Sequence, residues 1–154
     1  MMAYWLFKTE PDAFSIDDLA SRPNQTEPWD GVRNYQARNF LRDDIALGDL
    51  VYIYHSSCKN VGIAGVAEVV KAGYPDTTQF DPESKYFDPK SDPATPRWFR
   101  VDVKFVEKFE KVLALPDIKQ MQEITELPLV KKGGRLSVMP VTEQEWQQLY
   151  AAAK

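Results

Sequence analysis

The chain has 154 residues, of which 44% are hydrophobic and 27% are charged, and its formal net charge at pH 7 is −4. These values are typical of one globular domain and not of an intrinsically disordered chain, and no apolar run in the sequence approaches the length needed to span a bilayer. With a single cysteine and a single histidine, neither an intrachain disulfide nor a structural zinc site is expected, and a cytoplasmic location is predicted. The acidic balance argues against a broad basic surface, although the segment from Arg33 to Arg42 carries three arginines and no acid.

In the N-terminal third of the chain, the sequence first predicts one strand and a short helix. Ala3–Phe7 is an aromatic run that suits a buried strand. Ser15 can act as the N-cap of the helix, with Asp18 completing a capping box, and Pro23 ends it.

The segment WDGVRNYQARNFL, residues 29–41, concentrates planar and hydrogen-bonding side chains at the start of a second predicted helix. Asn34 can cap this helix, which is predicted to run from Tyr35 to about Asp44. Its apolar residues recur at helical spacing and so share one face. They are Ala37, Phe40, Leu41 and Ile45.

Two strands are predicted next, at Leu50–His55 and from Ile63 to about Ala72. Gly62 and Gly65 occupy places in the second strand where a side chain would crowd a neighbour. Residues 77–96 contain four prolines and are predicted to form a long irregular loop, a kind of loop that is usually functional or mobile.

The C-terminal third alternates strand and helix. Residues 98–109 alternate apolar and charged side chains, which predicts a half-exposed strand. A helix is predicted over 115–126, a turn and short strand over 133–141, and a C-terminal helix that begins with a capping box of Thr142 and Glu145. Short strands joined by irregular segments favour an α+β domain with a curved, mostly antiparallel sheet or small barrel.

Most familiar catalytic motifs are absent from the sequence. No glycine pattern resembles a phosphate-binding loop or a dinucleotide fingerprint, so no cofactor is expected. His55 and Cys58 are close enough in sequence to meet, but no third residue orients the histidine, and a lone cysteine is more often a small buried residue. Lys8 and Glu10 around Thr9 could perform acid–base chemistry if buried, whereas at the surface they form an ordinary salt bridge.

Trp29 and Trp98 each stand at an irregular boundary beside charged residues. Both can be core residues, as most large aromatic side chains are. Alternatively, two rings on opposing loops could hold a planar group between them, and stacking a base on a ring contributes about 1–3 kcal/mol. Asn34, His55 and Ser56 could then read the edge of a base, because amide, imidazole and hydroxyl groups all form directional hydrogen bonds.

Five segments, in their order along the chain, closely resemble the motifs of the EVE domain family. They are WLFKTEP, WDGVRNYQARNFL, YHSSCKNVGIAG, YPDTTQFDP and RLSVMPV. The resemblance covers nearly the whole chain and implies a single domain over residues 1–154. It also implies a PUA-like fold, a mixed-strand pseudo-barrel with short helices around it.

The function implied by this resemblance is recognition of a modified base in DNA or RNA, with modified cytosine the leading proposal. The resemblance implies no catalytic activity. Two alternatives remain open: a hydrolase of modified nucleosides, by analogy with the related ASCH domains and using Lys8, and an adaptor that binds a peptide in the same groove. The acidic body predicts weak affinity for nucleic acid that lacks the cognate modification.

The resemblance also suggests a set of ligand-binding residues. Trp29 would form a wall of the base pocket, and Asn34 its floor. Tyr35 and Arg38 would lie along the nucleic-acid face, with Arg38 a candidate phosphate contact. The rim and far side would be formed by Lys8, Tyr54, His55, Ser56, Trp98, Leu136 and Ser137.

Overall fold

In the computed structural model, which describes residues 2–131 and 136–154, six strands form one mixed sheet. They are β1 (Tyr4–Thr9), β2 (Thr26–Pro28), β3 (Leu50–His55), β4 (Gly62–Pro75), β5 (Phe99–Ala114) and β6 (Val138–Val141). The strand order is β2-β5-β4-β3-β1-β6, with β1 parallel to β3 and the other neighbours antiparallel. The prediction of an α+β domain with a mostly antiparallel sheet is confirmed.

Within the described ranges, four short α-helices surround the sheet: α1 (Ile16–Ser21), α2 (Tyr35–Asn39), α3 (Leu115–Lys119) and α4 (Glu143–Ala153). Both predicted capping boxes are present, in each case with the side chain and the backbone of the two partners exchanging hydrogen bonds. Among the described residues, no helix is long and apolar enough to cross a membrane.

Helix α2 begins as predicted and then widens. The Asn34 side chain accepts a hydrogen bond from the Ala37 N–H at 2.9 Å, which satisfies one of the free N–H groups of the first turn. Beyond Asn39 the chain continues as one turn of π-helix, Phe40–Asp44, closed by a bond from the Ile45 N–H to the Phe40 carbonyl. The predicted apolar face remains directed at the core through this wider turn.

Two local predictions are wrong. The helix predicted over 115–126 ends at Lys119, because the apolar residues that follow recur every three positions and drift away from one helical face. Strand β2 was not predicted at all, since it has only three residues and includes a proline. The turn predicted at the start of 133–141 lies partly outside the described residues, and the strand that follows it is confirmed.

The sheet buries apolar side chains on both of its faces. In β1, Trp5 and Phe7 enter one hydrophobic cluster and Leu6 enters the other. Gly65 allows β4 to lie close against β5, because a Cβ there would be 2.3 Å from the Glu107 carbonyl oxygen. The crowding predicted at this glycine is confirmed.

Candidate functional site

A pocket of about 420 Å³ opens where β1 ends, and we call it the Trp29 pocket. It lies between the loop before α1 and the segment that joins β2 to α2. Its described lining consists of Lys8, Thr9, Glu10, Ala13, Phe14, Arg22, Glu27, Pro28, Trp29, Asp30, Gly31, Val32, Arg33, Lys85, Tyr86 and Ser137. Parts of the chain distant in sequence therefore converge at one end of the sheet.

Aromatic rings form the apolar walls of the Trp29 pocket. Trp29 is 8% exposed and packs against Phe7 and, edge-on, against Phe14, with ring centroids 5.5 and 5.8 Å away. Gly31, at φ +81°, rests on the ring of Tyr86, where a Cβ would come within 2.5 Å of the ring carbon Cζ. Trp29 thus belongs to the hydrophobic core and to the pocket wall at the same time.

A buried carboxylate fixes the segment that carries Trp29. Asp76 is fully buried and accepts hydrogen bonds from the Gly31 N–H at 2.8 Å, from Arg33 Nη1 at 3.1 Å and from the Thr78 N–H at 2.8 Å. Burial opposes its ionisation, yet a hydrogen bond from the Thr78 hydroxyl together with these three outweighs burial and holds the pKa of Asp76 below its usual range. The wall of the pocket is therefore tied to the long loop through one anion.

Lys8 supplies a positive charge at the pocket without a matching carboxylate. Within the described chain no carboxylate oxygen lies within 4 Å of its ammonium group, which stands 5.8 Å from the centroid of the Tyr54 ring. Burial lowers the pKa of Lys8. A half-buried side chain with a perturbed pKa in a cleft marks a candidate functional site.

Two carboxyl groups stand on either side of the pocket tryptophan. Arg22 Nε lies 3.3 Å from Glu27 Oε1, and Arg100 Nη1 lies 3.5 Å from Asp30 Oδ2. Burial raises the pKa of Glu27 in spite of Arg22, and burial together with the charge of Asp76 raises the pKa of Asp30 in spite of Arg100. The pocket therefore combines basic residues with two acids whose pKa values are raised above their ordinary values.

A continuous row of stacked cations and rings runs along the surface beside the pocket, and we call it the arginine–aromatic ladder. The Arg38 guanidinium lies 5.0 Å from the Tyr35 ring, which stacks on Trp98 at 4.8 Å. Arg33 follows, 5.3 Å from Trp98 and 5.5 Å from Tyr86. Tyr35 is 52% exposed, so the ladder has an open aromatic face at one end and the pocket at the other.

The structure brings only some of the predicted ligand residues to the pocket. Lys8, Trp29 and Ser137 line it. Tyr35, Arg38 and Trp98 belong to the ladder, while Asn34, expected at the pocket floor, caps α2 instead.

The expected arrangement of Trp29 and Trp98 around one planar group is not present in the structure. Trp98 is buried among the residues of the long loop, and its indole Nε1 donates to Asp88 at 2.7 Å. One of its neighbours is the stacked ring of Tyr35, and another is the guanidinium of Arg33. Because its partners hold it in the ladder, Trp98 does not line the Trp29 pocket.

The remaining predicted residues also have structural roles. The ring of Tyr54 is buried, the Ser56 N–H bonds to the Thr9 carbonyl, and Leu136 packs against the hydrophobic clusters. His55 Nε2 accepts a hydrogen bond from the Ile16 N–H at 3.1 Å, so the imidazole holds the first turn of α1. None of these four residues lines the Trp29 pocket.

The hydrogen bond at His55 predicts a pH-dependent stability. Burial lowers the pKa of His55, with Asp17 and Asp18 opposing that change and Lys108 reinforcing it. The unfolded chain therefore binds a proton before the folded chain does, and stability falls as pH decreases from about 6.5, the ordinary pKa of histidine, towards the lowered value. The free energy of unfolding, measured with urea between pH 7.5 and 5, should decrease more steeply with falling pH in wild type than in His55→Gln. Parallel profiles would contradict this assignment.

Two groups that catalysis could use, the His55 imidazole and the Thr9 hydroxyl, are engaged in other contacts. Cys58 is partly buried and shares a separate shallow depression with His55, whose Nε2 is already engaged by Ile16. The Thr9 hydroxyl donates to the Phe14 carbonyl at 2.7 Å. Over residues 2–131 and 136–154, no group of three or more histidine, cysteine, aspartate and glutamate side chains could hold a metal ion.

The sequence did not predict several residues that line the pocket, namely Phe14, Glu27, Asp30, Arg33 and Tyr86, or Asp76, which anchors its wall through Gly31. Asp76 lies in the YPDTTQFDP segment that carries the family resemblance, and Tyr86 lies in the proline-rich loop. The unusual length of that loop was the one signal that could have directed attention to Tyr86.

The fold and the site define a class of protein, a small α+β domain of the PUA-like type with an aromatic pocket at the end of its sheet. Residues 3–152 match the model of the EVE domain, and the chain belongs to the EVE domain family.

Known relatives share both sequence and structure with this chain. Human thymocyte nuclear protein 1 is 42% identical over 162 residues, an alignment that covers 95% of this chain and 72% of the human protein. A crystal structure of a Pseudomonas putida protein is 51% identical with a TM-score of 0.95, covering 99% of this chain and 100% of that one.

Human thymocyte nuclear protein 1, also called THYN1, has a solved structure with a ligand. The crystal structure of human THYN1 protein in complex with 5-methylcytosine-containing DNA is 41% identical with a TM-score of 0.88, covering 99% of this chain and 98% of that one. The predicted EVE membership and PUA-like fold are confirmed.

Proposed function

We propose that this protein binds nucleic acid by holding a modified cytosine base in the Trp29 pocket, and that it does so as one non-catalytic domain. The observation that supports the proposal most is the pocket itself, which joins aromatic walls to hydrogen-bonding groups at the end of the sheet. The complex of the related human protein with 5-methylcytosine-containing DNA supports the same ligand class and favours DNA over RNA.

The dimensions and chemistry of the pocket suit a single base. A cavity of about 420 Å³ has room for one nucleotide rather than for a duplex. Trp29, Phe14 and Tyr86 offer ring surface for stacking, which contributes about 1–3 kcal/mol per base. A base in a duplex must first be extruded at a cost of a few kcal/mol, so single-stranded or locally opened DNA is the easier ligand.

The arginine–aromatic ladder suits the strand on either side of the bound base. Arg38 can pair with a phosphate, and the exposed ring of Tyr35 can stack against a neighbouring base. Because the whole chain carries a net charge of −4, these local contacts must supply the electrostatic attraction. We therefore expect weak binding to DNA that lacks the modified base.

Binding without catalysis is favoured over nucleoside hydrolysis. An amidohydrolase would need a nucleophile or an activated water, and one hydroxyl of the pocket, that of Thr9, already donates to the Phe14 carbonyl. A peptide adaptor is less favoured, since the pocket is lined by four basic and three acidic side chains beside its rings. The cytoplasmic location expected from the cysteine content stays a prediction.

Replacing Lys8 tests the proposal. Lys8→Met should weaken binding of a 5-methylcytosine oligonucleotide by about tenfold or more, because a hydrogen bond to a charged group contributes about 1.5–3 kcal/mol. Its stability should be unchanged or higher, since burial already disfavours the charge. Fluorescence anisotropy measures the binding, and thermal unfolding measures the stability.

Lys119→Met serves as the matched control, because Lys119 is exposed on α3 and does not line the pocket. That variant should bind like wild type. Equal affinity in the two variants would contradict a binding role for the pocket, and turnover of modified cytidines by wild type would establish the hydrolase alternative.

A further inference from the structure

Glu27 and Asp30 are two acids of the pocket that lie in sequence next to Pro28 and Trp29. Both line the pocket, and their side chains remain 30% and 35% exposed. Each is accompanied by an arginine at more than 3.2 Å, and burial raises the pKa of each. Since a carboxylate has several acceptor positions and each of these two contacts one arginine, both can still accept a hydrogen bond from a ligand beside the stacking wall.

The ligand presents a problem of discrimination. 5-Methylcytosine and thymine are pyrimidines of the same shape, with the same methyl group and the same O2 acceptor. They differ along one edge, where cytosine has a 4-amino donor and an N3 acceptor while thymine has an O4 acceptor and an N3–H donor. Aromatic walls and a methyl contact would hold both bases equally well, and thymine is present throughout DNA.

We propose that Glu27 and Asp30 recognise the 4-amino edge of the bound base and thereby make the pocket selective for cytosine-type bases over thymine and uracil. This inference rests on the proposed function, because it assigns the specificity of the same pocket. A carboxylate oxygen accepts a hydrogen bond from the 4-amino group, the pairing that acids make with cytosine in DNA recognition. The same oxygen placed against the O4 of thymine meets another acceptor and repels it.

Single-stranded DNA oligonucleotides with one central 5-methylcytosine, cytosine, thymine or uracil provide the test. Single strands remove the differing costs of opening C·G and T·A pairs. Wild type should prefer 5-methylcytosine to thymine by at least about tenfold, because a site that hydrogen-bonds a ligand group rejects an analogue lacking it. Affinities are measured by fluorescence anisotropy, with thermal unfolding as a check that each variant is folded.

The variants are Glu27→Gln, Asp30→Asn and their combination, with Glu123→Gln as a control at an exposed acid outside the pocket. An amide can donate to O4 and accept from N3–H, so the pocket variants should bind thymine more tightly and reduce the 5-methylcytosine-to-thymine ratio towards one. The control should keep the wild-type ratio.

The outcomes separate the two proposals. If wild type prefers 5-methylcytosine to cytosine but binds thymine equally well, the acids do not select the base, and the proposed function stands. If the wild-type ratio is unchanged in the folded double variant, the selectivity comes from other residues and the inference is overturned. If wild type binds none of the oligonucleotides, the proposed function and the inference fail together.

Discussion

Replacing Asp76 by asparagine should lower the free energy of unfolding by about 3–5 kcal/mol, the usual cost of removing one member of a buried ion pair. Asp76 is fully buried and accepts from Arg33, Gly31 and Thr78. An asparagine amide would direct donor hydrogens at one or more of these donors. We expect binding of a 5-methylcytosine oligonucleotide to weaken as well, because the segment that carries Trp29 loses its anchor.

Asp44→Asn is the matched control for this experiment. Asp44 is exposed, and it has no hydrogen bond or ion pair from its side chain within the part of the chain that the structure describes. Its replacement should change stability by less than about 0.5 kcal/mol. If urea unfolding showed a similarly small effect for Asp76→Asn, the anchoring role of that carboxylate would be wrong.

Trp29→Ala should unfold much of the protein, with a loss of about 3–5 kcal/mol, because the ring packs between Phe7 and Phe14 in the core. Loss of binding in that variant would therefore not separate a pocket wall from a core residue. Trp29→Phe keeps an aromatic ring and most of the packing. It should remain folded at 25 °C and bind the modified oligonucleotide more weakly, because stacking area is lost.

Trp146 provides the comparison for Trp29. It is 7% exposed, stacks on Tyr52 at 3.6 Å, and lies on α4 away from the Trp29 pocket. Trp146→Phe should lower the stability measured by thermal unfolding about as much as Trp29→Phe does, and it should leave the affinity for the modified oligonucleotide unchanged. Equal losses of affinity in the two phenylalanine variants would show that binding follows stability rather than the pocket.

Elements that are determined by their own sequence were predictable. The capping boxes at Ser15 and Thr142 involve residues three positions apart, and the alternation of apolar and charged residues along β5 indicates which side chains are buried. Strand β2 exists because it pairs with β5, so its own three residues contain too little information to predict it. The overlong prediction for α3 has a similar cause, because tertiary burial of the residues that follow outweighs helix propensity.

The site was less predictable than the fold, because its contacts join residues far apart in the chain. Gly31 and Asp76 are 45 positions apart, and Arg33 bonds to a carbonyl 53 positions away. Trp29 could be recognised as a candidate from its neighbours, and the structure places it in the pocket wall. The prediction that Trp98 lies opposite Trp29 was wrong. Trp98 is held in the long loop by Asp88 and Tyr35, and no local sequence pattern reveals those contacts.

The proposal that the pocket reads a modified cytosine is tested most directly by one affinity ratio. Two DNA oligonucleotides, identical except for a single 5-methylcytosine in place of cytosine, would be titrated with wild-type protein at two salt concentrations. Phosphate contacts are common to both ligands, so both affinities should fall with salt while the ratio stays constant and favours 5-methylcytosine. Equal affinities at both salt concentrations would contradict the account, and the Trp29 pocket would then have no role in recognising this modification.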